Sequence, residues 1–170
     1  SEGYDYRKKY QLKERAEEYD RQRYFKSLKG RIFIWCQKRR LKSAFKAIMK
    51  AGYILDMPCG TGRITEQLLT QGLKVLGGDI SENMLTVARR KLNGHPNLKG
   101  LEVMDGTNIP YGDNTFDGVV CIRFMCNIPF DMQKRILKEL ARVSKGPLII
   151  GFSLSSPSMK LRNHLKNILK

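Results

Sequence analysis

Long apolar runs are absent from this sequence of 170 residues. No stretch approaches the roughly 18 apolar residues of a membrane-spanning helix, which excludes a transmembrane class. The N-terminal segment 1–30 is strongly charged and has no apolar centre, so we expect no signal peptide. The four cysteines form no CxxC pair and have no histidine at zinc-ligand spacing. We therefore predict a cytoplasmic protein, in a reducing compartment, without a bound metal.

Acidic residues are missing from positions 26–50, in a chain with 32 Lys/Arg, 16 Asp/Glu and a net charge of +16. Residues 1–50 hold 16 basic and 6 acidic side chains, residues 51–150 hold 12 and 10, and residues 151–170 hold 4 and none. The basic character therefore belongs to the two ends. Two interpretations stay open: residues 26–50 bind an anionic partner such as RNA or a membrane surface, or they form a solvated helix face.

Apolar residues change periodicity repeatedly along the chain. Short, continuously apolar runs alternate with segments whose apolar residues recur every three or four positions. The predicted strands are 53–56, 73–78, 98–104, 116–122 and 147–153, and the predicted helices are 7–26, 36–50, 63–71, 81–92 and 128–143. This alternation predicts an α/β fold: a doubly wound, mostly parallel sheet with five recognisable strands, helices on both faces and further helices at the N-terminus.

Aspartates stand at the ends of three successive predicted strands. Asp56 ends the first strand and precedes a Cys-Gly-Thr-Gly loop, Asp79 ends the second and Asp105 follows the third. The carboxyl ends of parallel strands meet at one edge of a sheet, where ligands bind. Asp79 also follows Gly60 at the sequence spacing that separates a ribose-binding acid from its glycine loop. The sequence therefore predicts a nucleotide-like cofactor at this edge.

Two absences narrow the choice of nucleotide. No GxxxxGK[ST] phosphate-binding string occurs, and the glycine loop reads GxGxxT, with Thr65 where a dinucleotide fingerprint has a third small residue. The missing third small residue weakens the prediction of NAD as the cofactor without excluding it. An acid on the third strand offers an acceptor for an adenine amino group, and Arg63 after the loop suits a cofactor that carries a carboxylate better than a pyrophosphate.

Several motifs resemble the class I S-adenosylmethionine-dependent methyltransferases, in particular the small-molecule group that includes ubiquinone and menaquinone biosynthesis enzymes. The resemblance runs from about residue 16 to residue 152, with motifs at 55–62, 78–85, 104–120 and 137–143. It implies a Rossmann-like fold, S-adenosylmethionine as the cofactor, and methyl transfer to a small-molecule or lipid-like acceptor.

The resemblance also implies roles for residues around the glycine loop. Gly60 and Gly62 would let the backbone approach the methionyl part of the cofactor, and Asp56 would orient the cofactor's amino group through water. Asp79 would accept hydrogen bonds from both ribose hydroxyls. Arg63 is our own addition to this set: its guanidinium either holds the cofactor carboxylate or is solvated on the helix.

The remaining implied contacts lie on the second, third and fourth strands. Ile80 would pack on one face of the adenine, and Asp105 would accept its amino proton. Gly106 would leave room beside Asp105, and the carbonyl of Cys121 would meet the methionyl ammonium.

The substrate side of the site is less defined by the sequence. Tyr19, Tyr24 and Arg123 are candidates for a substrate pocket, with packing for the tyrosines and a salt bridge for Arg123 as the alternatives. Pro58 stands where the family usually has the first glycine of its loop, so the turn lacks one N–H donor. Asn127 stands near a histidine of many relatives, so no catalytic base is carried over and no catalytic residue is assigned.

The domain organisation follows from these assignments. We expect residues 1–50 to be a basic helical segment of the same domain, 51–153 the cofactor-binding core and 154–170 a C-terminal helix. Only the short segment 154–170 follows Ser153, whereas the family continues with two more strands, so we expect a truncated chain. Two alternatives to small-molecule methylation remain: an RNA methyltransferase, and a non-catalytic cofactor-binding adaptor.

Overall fold

The five strands form one sheet in the computed structural model, which describes residues 39, 43–48 and 52–151. The strand order is β3-β2-β1-β4-β5, and each neighbouring pair is parallel. The strands are β1 (Tyr53–Asp56), β2 (Lys74–Asp79), β3 (Leu98–Val103), β4 (Gly118–Ile122) and β5 (Leu148–Gly151), and the helices are α1 (Arg63–Leu69), α2 (Glu82–Leu92) and α3 (Phe130–Val143). The predicted α/β fold is confirmed.

The predicted boundaries shift slightly where local chemistry competes with the apolar pattern. Phe116 makes only an isolated bridge to Ser144, so β4 begins at Gly118 rather than at position 116. Pro129 has an extended backbone with ψ of 153°, so α3 begins at Phe130 rather than at position 128. A short 3₁₀ helix, Met125–Asn127, precedes it and is not visible in the apolar periodicity.

Helices cover both faces of the sheet, as a doubly wound fold requires. Neighbouring residues of one strand point to opposite faces. Ile54 packs in a cluster with buried residues of α1 and α2. Leu55 packs in a second cluster with buried residues of α3, here called the α3-side cluster. The hydrophobic core is therefore divided into two layers by the sheet.

A capping residue and an apolar stripe define α2, the helix that follows β2. The Ser81 hydroxyl accepts a hydrogen bond from the Met84 backbone N–H at 3.4 Å, so Ser81 is the N-cap. Four apolar residues at helical spacing form the buried side of this helix: Met84, Leu85, Ala88 and Leu92. Position and orientation of α2 thus follow from its cap and its apolar stripe.

Part of the predicted N-terminal helix 36–50 belongs to the described residues. Positions 43–45 are helical, and Phe45 and Ile48 are buried in the same cluster as α1. Positions 36–38, 40–42, 49 and 50 of that helix, the predicted helix 7–26 and residues 152–170 lie outside the described part of the chain. Among the residues that the structure describes, no helix has the length and apolarity needed to cross a bilayer.

Candidate functional site

The order of the strands reverses between β1 and β4. From β1 the chain proceeds to β2 and β3, which lie on one side of β1 within the sheet. It then crosses to β4 and β5, which lie on the other side of β1. Ligands of open α/β sheets bind at such a reversal of strand order, because the two following loops separate there. Asp56 at the end of β1 is in register with Val120 of β4, so it lies at this point.

The glycine loop after β1 is joined directly to the end of β2. The Gly60 backbone N–H donates to Asp79 Oδ2 at 2.8 Å, and the Ser81 N–H donates to Asp79 Oδ1 at 2.9 Å. The Cys59 N–H donates to the Gly78 carbonyl at 2.8 Å. Two motifs that are well separated in sequence therefore form one structure. Asp79 holds the loop, whereas Ser81 rather than Asp79 caps α2.

The two glycines of the loop have different surroundings. Both have a left-handed backbone, with φ of 56° at Gly60 and 78° at Gly62, which favours glycine. A Cβ atom at Gly60 would meet nothing within 4 Å, whereas one at Gly62 would lie 2.8 Å from Leu92 Cδ1 and 3.1 Å from Ala88 Cβ. Gly60 thus presents bare backbone to open space, and Gly62 instead allows close packing of the loop on α2.

Asp56 is a fully buried carboxylate behind the loop. Its Oδ2 accepts a hydrogen bond from the Thr65 hydroxyl at 2.6 Å, and its Oδ1 accepts none from the residues that the structure describes. Thr65 explains why the loop reads GxGxxT: the position that is small in a dinucleotide fingerprint here carries the donor for Asp56. A buried polar atom without a protein partner is normally satisfied by ordered water or by a ligand. Asp56 Oδ1 is therefore in a position to hold an ordered water molecule or a ligand.

Burial governs the electrostatics of the two aspartates. It raises the pKa of Asp79 from 3.8 to about 6, against the lowering effect of the backbone donors at Ser81 and Gly60. It raises the pKa of Asp56 from 3.8 to about 7; the Thr65 hydroxyl opposes this shift, Asp79 adds to it and Arg63 opposes it. The half-buried Arg63, the first residue of α1, is thereby placed within electrostatic range of Asp56. Two acids and one guanidinium thus share the loop region.

Asp105 and Gly106 follow β3 beside the same edge. The Met104 N–H donates to the Asp79 carbonyl at 3.1 Å, which continues the β2–β3 pairing to the position before Asp105. Asp105 Oδ1 accepts hydrogen bonds from the Thr107 N–H and hydroxyl, each at 2.9 Å. A Cβ at Gly106 would lie 3.5 Å from Ile136 of α3, an ordinary contact, so the absent side chain faces the core.

Ile80 is the residue between the β2 aspartate and the α2 cap. Its side chain is half-buried and packs against the α3-side cluster of the core.

Cys121 and Arg123 lie on the β4 side of the reversal. Cys121 is fully buried, and burial followed by the charge of Asp56 raises the pKa of its thiol, which stays neutral. Arg123 directly follows β4 and has φ of 64°, and its N–H donates to the Gly151 carbonyl at 2.6 Å. A left-handed backbone costs a non-glycine residue about 1–2 kcal/mol, and such residues concentrate at functional sites.

Other predicted residues lie outside the part of the chain that the structure describes. Tyr19 and Tyr24 lie outside the described residues, and so does most of the basic segment 26–50. Within residues 39, 43–48 and 52–151, no group of three or more histidine, cysteine, aspartate or glutamate side chains is arranged to hold a metal ion.

Sequence reasoning missed two features of the site. The Thr65 donor has a recognisable signal, a hydroxyl in the first helical turn after a glycine loop that follows an acid. The second feature is the ion pair of Glu139 and Arg142 on α3, which contacts the segment after Asp105. The i,i+3 spacing signals the pair itself, but it does not reveal what the pair holds.

Comparison with known proteins gives a consistent result. A family model described as "Methyltransferase domain" matches residues 54–146. A demethylmenaquinone methyltransferase from Symbiobacterium thermophilum is 40% identical over 115 residues, which cover 62% of this chain and 43% of the relative. One from Bacillus mycoides is 40% identical over 111 residues, covering 62% of this chain and 46% of the relative. The chain spans less than half the length of these relatives.

A solved structure shows the same architecture over most of the chain. The PH0226 protein from Pyrococcus horikoshii is 28% identical with a TM-score of 0.68, and the match covers 89% of this chain and 70% of that one. The family model covers more than half of the chain. It begins at Ile54 of β1 and includes β2, β3 and β4. The chain therefore belongs to the methyltransferase domain family, within the class I S-adenosylmethionine-dependent methyltransferases.

Proposed function

We propose that this chain binds S-adenosylmethionine at the carboxyl edge of its sheet and transfers the methyl group to a small-molecule or lipid-like acceptor. The observation that carries the proposal is the bond between the Gly60 N–H and Asp79, which places an open, bare backbone beside a buried carboxylate. This pair suits an adenosyl cofactor, because the ribose needs a charged acceptor and the methionyl chain needs a close approach to backbone.

The residues of the glycine loop fit the cofactor in both shape and charge. Asp79 would accept hydrogen bonds from the two ribose hydroxyls while it keeps its own bonds to the loop. Gly60 would contact the methionyl chain on its open side. The Asp56 oxygen that accepts no hydrogen bond from the described residues would orient the ammonium through a water molecule, and Arg63 would pair with the carboxylate.

The adenine and the methionyl ammonium would be held by the neighbouring strands. Ile80 would pack on the ring, and Asp105 would accept the proton of its amino group. Gly106 would leave room beside Asp105. The carbonyl of Cys121 would receive a hydrogen bond from the ammonium, and the cofactor would then lie across the reversal between β1 and β4.

The mechanism assigns these residues to alignment rather than to proton transfer. When bound, S-adenosylmethionine supplies a methyl group that its sulfonium has already activated for attack by a nucleophile. The protein then needs to hold the acceptor atom in line with that methyl group and to exclude water. Arg123, whose backbone is held in a strained conformation next to β4, is our candidate for contact with an electron-rich acceptor, together with Tyr19 and Tyr24.

The acceptor class follows from the relatives. The two relatives named above are demethylmenaquinone methyltransferases, so we propose a quinone of this lipid-like kind as the acceptor of this chain. The basic segment 26–50 would then bring the protein to an anionic partner, either a membrane surface that carries the quinone or RNA.

Binding and turnover test the proposal in separate steps. Titration of the chain with S-adenosylhomocysteine should show saturable binding in the micromolar range, and no binding in that range would contradict the cofactor assignment. Radiolabelled S-adenosylmethionine should then transfer methyl groups to reduced demethylmenaquinone. Labelling of RNA instead, with a steep loss of RNA affinity as salt increases, would favour the RNA methyltransferase. Binding without turnover on any acceptor would favour the adaptor.

A further inference from the structure

The segment between β3 and β4 has little regular secondary structure of its own. From Asp105 to Phe116 the structure shows one isolated bridge inside the segment, between Asp105 and Asn108. Asp105 stands at the start of this segment, two residues after Val103, the last residue of β3. On the β3 side its backbone follows the Met104 N–H bond to Asp79, and on the other side its position depends on contacts that the segment makes with the rest of the protein.

An ion pair on α3 provides the most numerous of these contacts. Arg142 donates to both Glu139 carboxylate oxygens at 2.8 Å, from Nε and Nη2. Nη2 also donates to the Ile109 carbonyl at 3.0 Å, and Nη1 donates to the Tyr111 carbonyl at 2.8 Å and to Asp113 Oδ1 at 2.9 Å. Glu139 Oε2 in turn accepts the Ile109 N–H at 2.9 Å. Both backbone groups of Ile109 are thus held by one ion pair.

The helix that carries this pair is itself firmly anchored. Its residues Ile136, Leu140 and Val143 are buried in the core. Its C-terminal backbone also receives the segment, since the Asn114 N–H donates to the Arg142 carbonyl at 2.8 Å and the Phe116 N–H donates to the Val143 carbonyl at 2.9 Å. The pair therefore connects the segment to a rigid element.

The position of Ile109 is coupled to that of Asp105. The Asn108 N–H donates to the Asp105 carbonyl at 3.0 Å, which closes a tight turn immediately before Ile109. The Ile109 side chain is buried in the α3-side cluster, so it leaves little freedom for a local adjustment. The turn connects Ile109 to Asp105 through the backbone, so we expect a shift of Ile109 to move Asp105.

We propose that Arg142, together with Glu139, is a positioning pair that fixes Asp105 for recognition of the adenine amino group. The proposal rests on the proposed function, because it takes Asp105 as the residue that reads the adenine. Lysine at position 142 keeps the positive charge but offers one ammonium group in place of the planar fork that contacts Glu139 and three acceptors of the segment. Arg142→Lys should therefore loosen Asp105 without removing it.

The test compares two ligands that differ at the atom Asp105 is proposed to read. S-adenosylhomocysteine carries the amino group, and S-inosylhomocysteine carries a carbonyl oxygen there. The wild-type chain should bind the first about tenfold or more tightly than the second, since a charged acceptor faces a donor in one case and an oxygen in the other. Asp105→Asn should reduce this ratio strongly.

The variants then separate positioning from a merely structural role. In Arg142→Lys, and in the milder variant Glu139→Gln, the ratio of the affinities for the two ligands should fall to about threefold or less. Arg135→Lys, a change at an exposed position on the same helix, should keep the wild-type ratio. In an Asp105→Asn background, Arg142→Lys should change the ratio no further, because the two changes remove the same discrimination.

Three results would overturn the proposal. The first is an Arg142→Lys chain that loses affinity for both ligands equally and keeps the wild-type ratio, which indicates a structural role only. The second is a wild-type chain that binds both compounds equally well. The third is a wild-type chain that binds neither compound, a distinct result that overturns the proposed function and this inference with it.

Discussion

Replacement of Asp79 by asparagine should separate cofactor binding from fold stability. In the wild-type chain the Asp79 carboxylate accepts the N–H groups of Gly60 and Ser81, at 2.8 and 2.9 Å. Asparagine has nearly the same shape and keeps one oxygen acceptor. Its amide NH₂ group, however, replaces the second oxygen, so one of the two backbone donors loses its partner.

Two opposing effects on the free energy of unfolding have similar size. Burial raises the pKa of Asp79 from 3.8 to about 6. A shift of about 2 units means that the charged form costs about 3 kcal/mol in the folded state, net of its hydrogen bonds. Because the folded-state pKa is the higher one, this cost is absent below about pH 4 and complete above about pH 6. At pH 8 asparagine removes it but leaves one N–H unpaired, at about 1–3 kcal/mol.

The unliganded Asp79→Asn chain should therefore unfold in urea within about 2 kcal/mol of wild type at pH 8. Its affinity for S-adenosylhomocysteine should fall by about 1–3 kcal/mol, or about 5- to 150-fold, because the ribose hydroxyls lose a charged acceptor. Calorimetric titration measures this loss. Asp131→Asn, which removes an exposed carboxylate from α3, is the matched control and should keep wild-type affinity. A large loss of stability with unchanged affinity would refute the reasoning and restrict Asp79 to holding the loop.

Three further predictions concern pH, the glycine loop and the buried hydroxyl. Burial raises the pKa of Asp56 to about 7 and that of Asp79 to about 6, so both carboxyl groups become charged between about pH 5 and about pH 8. Over this interval the affinity for the cationic S-adenosylmethionine should increase, and the stability of the unliganded chain should decrease. An affinity that does not change with pH in titrations would contradict this prediction. Gly62→Ala should lower the free energy of unfolding in urea by about 1–3 kcal/mol more than Gly72→Ala. Both glycines have positive φ, but only a Cβ at Gly62 meets α2, at 2.8 Å. Equal losses would show that the loop does not pack as described. Thr65→Val should cost about 1–3 kcal/mol at pH 8 and less at pH 5, where Asp56 is neutral, whereas Thr65→Ser should keep the donor; a loss in Thr65→Val that is the same at both pH values would argue against a charged Asp56.

Much of the fold could be predicted because its signals are local. Each core strand is a continuous apolar run, and α2 has both its cap and its stripe within the segment 81–92, so periodicity and capping define them. The common location of Asp56 and Asp79 also follows from local information, since parallel strands bring their carboxyl ends to one edge. For that reason the glycine loop and both acids were predictable as a group.

The features that could not be predicted depend on contacts between distant residues. Arg142 contacts carbonyls 31 and 33 residues earlier in the chain, and no pattern on α3 states which loop faces that side of the helix. The different surroundings of Gly60 and Gly62 depend on where α2 packs, which the loop sequence does not contain. Such contacts are settled only when the packing of helices on the sheet is known.

A crystal structure of the chain in complex with S-adenosylhomocysteine tests the central claim most directly. We expect the ligand to lie across the carboxyl ends of β1 and β2, with both ribose hydroxyls about 3 Å from the Asp79 carboxylate and the homocysteine chain against Gly60. A ligand bound elsewhere, or bound at this edge without contact to Asp79, would contradict it.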